Sequence, residues 1–398
     1  MMHPIARRTA LAGLGSLFAW GFAPRLATAA AGDPRLLVIL LRGGLDGISM
    51  IQPVGDPAFA ALRGADAGEA VPLDGLFALH QGMPNLLALF RAGQALPIHA
   101  VHTPYRERSH FDGQDVLETG LPRVMAGART GWLNRALAEI PRGARLPAPR
   151  GLAVSPVVPV IMQGPAAVET WQPQAFRYAD EDLVARLLDL YEARDPGLAA
   201  ALRAGADLDR AMQEVPAGQP GTTRIPGRPD FVTEAAGAAR IMALPDGPRV
   251  AALGLTGWDT HAGQGTARGN LANRLGALDD AIGAIHTGLG PVWGDTVVAI
   301  VTEFGRTVRM NGSAGTDHGM ATCALLLGGR VAGGRVLADW PGLAPHQLHE
   351  GRDLRPTADL RGVLAGVLAD QLGLSGAALS RAFPDAAGTS PWRGLIRT

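Results

Sequence analysis

No lysine occurs anywhere in this sequence, so every basic side chain is an arginine. With abundant glycine and proline, that is the compositional bias of a GC-rich genome and says little about function. Cysteine is almost as scarce: Cys323 stands alone, which excludes an intrachain disulfide. Stability must come from a buried core, and 398 residues with 47% hydrophobic side chains can build one. An uncharged apolar run of the length needed to span a bilayer, about 20 residues, is also missing, so no transmembrane span is expected. Basic and acidic residues balance at 36 each. Without a basic excess or stripe, nucleic acid is not an expected partner.

The first thirty residues have their own pattern. Arg7 and Arg8 precede an uncharged run from Ala10 to Pro24, and the small-residue stretch Ala27 to Ala31 follows. Those are the three regions of a signal peptide, in order. Paired arginines before a weakly apolar core rich in Gly and Ala favour export through the twin-arginine translocase. Residues 1–30 are therefore expected to be a signal, and 31–398 a single domain that works in the periplasm or outside the cell. Without Arg7, Arg8 and Arg25 the basic residues fall to 33 against 36 acidic ones, a slightly acidic mature chain.

Arg35 to Leu41 is a nearly continuous apolar run and reads as a strand buried on both faces, the habit of a parallel sheet covered by helices. Similar runs recur at Ala95 to Val101, Val250 to Leu255, Thr296 to Val301 and Thr322 to Leu327. Between them lie helical patterns. The clearest spans Gly269 to Leu289, where Leu271, Leu275, Leu278, Ile282 and Ile285 keep three- and four-residue spacing. Glu181 to Tyr191 and Gly197 to Met212 also read as helices, and Val215 to Asp230, rich in Pro and Gly, as a surface connection. Alternating strands and helices predict an α/β domain with a mostly parallel sheet. In such sheets ligands bind beyond the carboxyl ends of the strands.

Polar clusters follow the strand runs directly. After Val250 to Leu255 comes Gly257-Trp258-Asp259-Thr260-His261. In extended backbone, residues two apart point the same way, so Asp259 and His261 could grip one cation; the alternative is a turn cap with a surface imidazole. Thr302-Glu303-Phe304-Gly305-Arg306 puts a carboxylate at another strand end. Gly315-Thr316-Asp317-His318-Gly319 brings a flexible loop into the next strand and completes a set of two imidazoles and a carboxylate. Mixed nitrogen and oxygen ligands suit zinc or a similar divalent ion, whereas an all-oxygen set would point to calcium or magnesium. The last segment, Arg108-Ser109-His110-Phe111-Asp112, leads into a helix. Ser109 with Asp112 resembles a capping box. A serine at a helix start near cations is also well placed as a nucleophile toward an anionic ester. Gly43-Gly44-Leu45-Asp46-Gly47 after the first strand lacks dinucleotide-binding spacing.

Taken together, the turn Leu41 to Gly47 and the four segments just described resemble, in this order, the bacterial exported domain-of-unknown-function family numbered fifteen hundred and one. That family is grouped with the alkaline-phosphatase and sulfatase superfamily, so the resemblance implies a three-layer α/β fold and metal-dependent hydrolysis of phosphate or sulfate esters. By position it implies Asp259, His261 and His318 at one metal site and Glu303 at another. Ser109 would be the nucleophile, and Arg306 or Arg108 would hold the ester. Where the phosphatases carry a first metal-binding Asp, this chain has Gly43, with Asp46 three residues later as the substitute. Glu303-Phe304 stands where they carry an Asp-His pair, and His110 could supply the missing imidazole. One complete site is therefore expected, with zinc favoured over calcium, magnesium or manganese. The substrate would be a small-molecule or envelope-glycan ester. A non-catalytic envelope protein that uses the same pocket to hold a glycan, an anion or a protein partner is the alternative.

Overall fold

In the computed structural model, eleven strands form among the described residues: β1 (Arg35–Arg42), β2 (Ile51–Gln52), β3 (Ala70–Pro72), β4 (Ala78–His80), β5 (Ala95–His102), β6 (Gly151–Val154), β7 (Val168–Trp171), β8 (Val250–Thr256), β9 (Thr296–Thr302), β10 (Thr322–Leu327) and β11 (Ala358–Asp359). The described residues are 33–64, 69–140, 150–173, 187–203 except 189 and 193, 231–386 and 389–397. The signal-peptide reading, the Val215–Asp230 connection, most of Glu181–Tyr191 and the latter part of Gly197–Met212 lie outside them.

Eight strands make one sheet in the order β11-β5-β10-β9-β1-β8-β6-β7, and β2, β4 and β3 make a small antiparallel one. The large sheet is parallel except for β10, which runs antiparallel to both β5 and β9. That reversal matters for the site. Because β9 ends and β10 begins at the same edge, the whole connection from Glu303 to Ala321 stays at the carboxyl edge of the parallel strands. All five apolar runs read from the sequence are strands, and the patterned helix is Asn270–Leu289.

The central strand shows why the layers form. Side chains alternate across a strand, so Leu37, Ile39 and Leu41 enter one core while Leu36, Val38 and Leu40 enter the other. Helices Pro84–Arg91, Phe231–Ala243 and Asn270–Leu289 cover the first face; Trp132–Glu139, Leu360–Leu372 and Gly376–Ala382 cover the second. The result is the expected three-layer α/β domain with a mostly parallel sheet. Among the described residues, no helix is long and apolar enough to cross a membrane.

Candidate metal centre

Four loops at the carboxyl edge converge. Beyond β1, Gly43 adopts φ +123°, and a Cβ there would lie 2.5 Å from the Asp259 backbone nitrogen. Only glycine lets the two turns approach so closely. The contact leaves the Gly43 N–H donating to Glu303 Oε1 at 2.9 Å and sets Asp259 at the rim. Beyond β5, the helix His110–Thr119 projects His110 inward, stacked on Phe304 with ring centroids 4.8 Å apart. The connection between β9 and β10 carries His318 back to the same place.

The histidines share one arrangement. His110 Nδ1 donates to Glu303 Oε1 at 2.8 Å, His318 Nδ1 to the Arg108 carbonyl at 2.7 Å, and His261 Nδ1 to Asp317 Oδ1 at 3.3 Å. An ionised carboxylate or a carbonyl only accepts, so each Nδ1 carries a proton, and a ring in its neutral form has its lone pair on Nε2. All three Nε2 atoms lie near one oxygen: Asp259 Oδ1 is 3.3 Å from His110, 3.0 Å from His261 and 3.3 Å from His318. The Nε2 atoms of His261 and His318 are only 2.9 Å apart. Two lone pairs that close repel unless a proton or a cation lies between them. His110 Nε2 is buried and makes no hydrogen bond.

This donor set fits a divalent ion. The ligand atoms of His110, Asp259 and His318 lie within 4.8 Å of one another. A tetrahedral ion with bonds of about 2.0–2.2 Å sets its ligands roughly 3.3–3.6 Å apart, and the 3.3 Å separations of His110 and His318 from Asp259 Oδ1 match that. Locking Nδ1 to a carboxylate or carbonyl is the usual way a protein orients a metal-binding imidazole. Glu303 raises the pKa of His110 through that hydrogen bond, against the opposing effect of burial. His318 goes the other way: burial pushes it down, and the Arg108 carbonyl only partly offsets this. Burial works against the charged form of Asp259, but the hydrogen bond and charge of Arg306 outweigh it and hold the carboxyl below its usual range.

The family model described as a protein of unknown function, DUF1501, matches residues 77–383. This chain belongs to that family. The DUF1501 match contains every residue of the cluster and leaves out the turn that carries Asp46. A comparison with curated proteins yields no match. Among solved structures, the chain is similar to the phosphonate monoester hydrolase of Agrobacterium radiobacter, at 13% identity and a TM-score of 0.38 over 86% of this chain and 74% of that one. It is also similar to the C-terminal periplasmic domain of EcEptC from Escherichia coli in complex with Zn, at 9% identity and a TM-score of 0.36 over 75% and 74% of the two chains.

Four expectations need correction in this DUF1501 protein. Asp46 is not in the cluster. It is 1% exposed and caps the short helix Gly47–Met50, and its carboxylate is held by Arg63 at 2.6 Å, Gln264 at 2.6 Å and Ser49 at 2.7 Å. Burial opposes its charge, but Arg63 and these bonds prevail and keep its pKa low. Glu303, placed by resemblance at a second metal site, is fully buried and turned toward His110, Gln114 and the Gly43 N–H. It orients an imidazole.

Arg306 is not available to hold an ester. It is 1% exposed and its guanidinium is spent on Asp259 Oδ1 at 2.6 Å and on the hydroxyl and carbonyl of Thr316. Arg108 is likewise committed, to Asp353 and Glu350, each at 2.8 Å. Finally, Ser109 sits at the N-cap but its side chain makes no capping bond and interacts with the Tyr105 hydroxyl instead. The capping-box pattern fails because Asp112 leans toward Tyr105, 3.4 Å away. Asp317 and Phe304, which hold His261 and His110, and Gln114, which holds Glu303, stood in the segments read from the sequence but were given no role there. No periodicity or spacing marks a residue whose partner is remote in sequence.

Proposed function

We propose that this DUF1501 protein is an exported, metal-dependent hydrolase of phosphate or sulfate esters in the cell envelope. The observation that carries this reading is the convergence of three proton-locked histidines on Asp259 Oδ1 at a sheet edge where ligands bind. His110, Asp259, His261 and His318 would hold one ion, and three nitrogens with one oxygen favour zinc. A bound divalent ion would polarise the ester and lower the pKa of a nearby hydroxyl or water. Glu303 and the Arg108 carbonyl fix the tautomers of His110 and His318, and Arg306 fixes the Asp259 carboxylate. Ser109, part-buried beside His110, is the candidate nucleophile. No side chain caps its helix, so first-turn N–H groups remain for an anion. Export rests on the Arg7-Arg8 pattern, and replacing both by lysine is expected to stop secretion.

The second reading, a non-catalytic envelope binding protein, is favoured by one observation: Arg306 and Arg108 are both matched to carboxylates, so neither offers an open anion clamp. Elemental analysis beside an Asp259→Asn, His318→Ala variant comes first. About one metal per native chain, absent from the variant, supports the centre; a native chain that takes up no metal from excess Zn, Mn, Ca or Mg overturns it. Ser109→Ala then separates the readings. In the hydrolase it abolishes ester turnover while metal content holds and stability stays within about 0.5 kcal/mol, since no cap bond is lost.

A further inference from the structure

Next to the cluster, along the same carboxyl edge, lies a groove of about 480 Å³ between the ends of β1, β6 and β8. That is inside the range of small-molecule sites, roughly 300–1,000 Å³. Three of its residues lie on the same elements as the cluster. Arg42, in the groove, directly precedes Gly43, whose N–H holds Glu303. Thr256, also in the groove, lies three residues before Asp259. Glu118 belongs to the helix that starts at His110. Gln114 joins the two compartments: its carbonyl accepts from Arg42 Nη1 at 2.8 Å and its amide donates to Glu303 Oε1 at 3.1 Å.

The chemistry of the groove is mixed and uncharged. Arg42 and Glu118 pair at 2.5 Å, and the buried Glu118 also accepts from the Ile161 N–H, so Arg42 stands there as a strong donor while the pair carries no net charge. Ser155 and Thr256 add hydroxyls, and Val157 and Pro159 add apolar wall. Phe111 is the second observation. Its side chain is 90% exposed, immediately after His110, and it shares a helix stripe with Gln114 and Glu118 at three- and four-residue spacing. Val157 is 68% exposed. Leaving a large aromatic side chain in water forgoes its burial, and here it directly follows His110 and opens the helix stripe that ends at Glu118 of the groove.

We infer that this groove is a sugar-binding subsite, which takes the organic half of the ester whose anionic group sits at the cluster. The apolar face of a pyranose ring stacks on Phe111, as amphipathic rings do on aromatic side chains, and its hydroxyls meet Arg42, Ser155 and Thr256. A purely apolar group would cover Arg42 without giving its remaining N–H groups partners, which is costly. A charged group would find no net charge to match. The ester half of this inference rests on the proposed hydrolase reading; the sugar half does not require turnover.

The test therefore uses uncharged sugars. Saturation-transfer NMR and calorimetric titration of the full zinc-loaded chain with cellobiose and with N,N′-diacetylchitobiose are expected to show binding of at least one. Phe111→Ala and Val157→Arg should each weaken that binding tenfold or more while metal content and Tm stay unchanged. The Asp259→Asn, His318→Ala variant should lose metal and keep the sugar. Failure of the native chain to bind either disaccharide at millimolar concentration overturns the subsite, as does unaltered binding by both groove variants. If sugar binds as described but no phosphate or sulfate ester of any alcohol is turned over, the subsite stands and the hydrolase reading falls. Turnover of simple esters without sugar binding has the opposite meaning.

Discussion

Two polar constellations lie close together at the carboxyl edge of the sheet, and they have opposite characters. Around Asp46, every donor and acceptor is matched: Arg63 reaches both carboxylate oxygens and the carbonyls of Thr307 and Val308, while Ser49 and Gln264 complete the set. Around Asp259, three Nε2 atoms crowd one oxygen, two of them 2.9 Å from each other, and the buried Nε2 of His110 makes no hydrogen bond. The first is a finished structural ion pair. The second already holds one cation, Arg306 at 2.6 Å from Asp259 Oδ1, yet it leaves ring nitrogens facing one another with no partner between them. Acidic residues after a strand are thus not equivalent; what separates them is whether the groups around the carboxylate are all matched or leave imidazole nitrogens unmatched.

The comparison breaks most severely at Arg63. Removing one partner of a buried ion pair leaves the other charge uncompensated, so Arg63→Ala should destabilise the fold by about 3–5 kcal/mol in urea titrations, whereas His261→Ala, at an exposed imidazole, should change stability far less and metal uptake far more. A loss below about 1 kcal/mol for Arg63→Ala would erase the distinction.

Next in size is a pH effect at His99, an imidazole sealed near Asp46 rather than open like those of the cluster. It stacks on Phe77 and meets the edge of Trp340, and burial pushes it down to about 4 from its ordinary 6.5. As pH falls, the unfolded chain binds this proton first. The stabilisation is therefore complete above pH 6.5 and is lost between 6.5 and 4, on the order of 3 kcal/mol. Unfolding midpoints at pH 7.5 and 4.5 should show the loss in the native chain, and His99→Gln should reduce it; equal pH dependence in both would sink the assignment.

The smallest effect sharpens the comparison from the cluster side. Glu303→Gln keeps shape but removes the charge behind His110, and metal affinity should fall about 10- to 100-fold. Competition with a chelator of known affinity would measure it. Complete loss of metal would instead make Glu303 a direct ligand.

Much of this was legible in the sequence. The five long strands were visible because each is buried on both faces and so reads as an unbroken apolar run. The short strands β6, β7 and β11 were not, since four residues or fewer leave no periodic signal. Asp259, His261, His318 and His110 were all picked out because each follows a strand in a turn rich in glycine or polar residues. Their roles were harder. Arg306 and Glu303 looked like agents of chemistry, yet tertiary contacts bury both and turn them to hold Asp259 and His110.

The sequence by itself therefore determined which residue types stand at the ends of which strands, because side-chain alternation and turn chemistry are local properties. Only the tertiary structure decided which of those residues gather around one point and which are fully matched within the protein. That depends on β10 running backwards to return His318 to the edge, on Gly43 letting two turns touch, and on Arg63 and Arg306 reaching their carboxylates across 17 and 47 positions of the chain. Charge matching is set by distances in space, and spacing along the chain does not encode them.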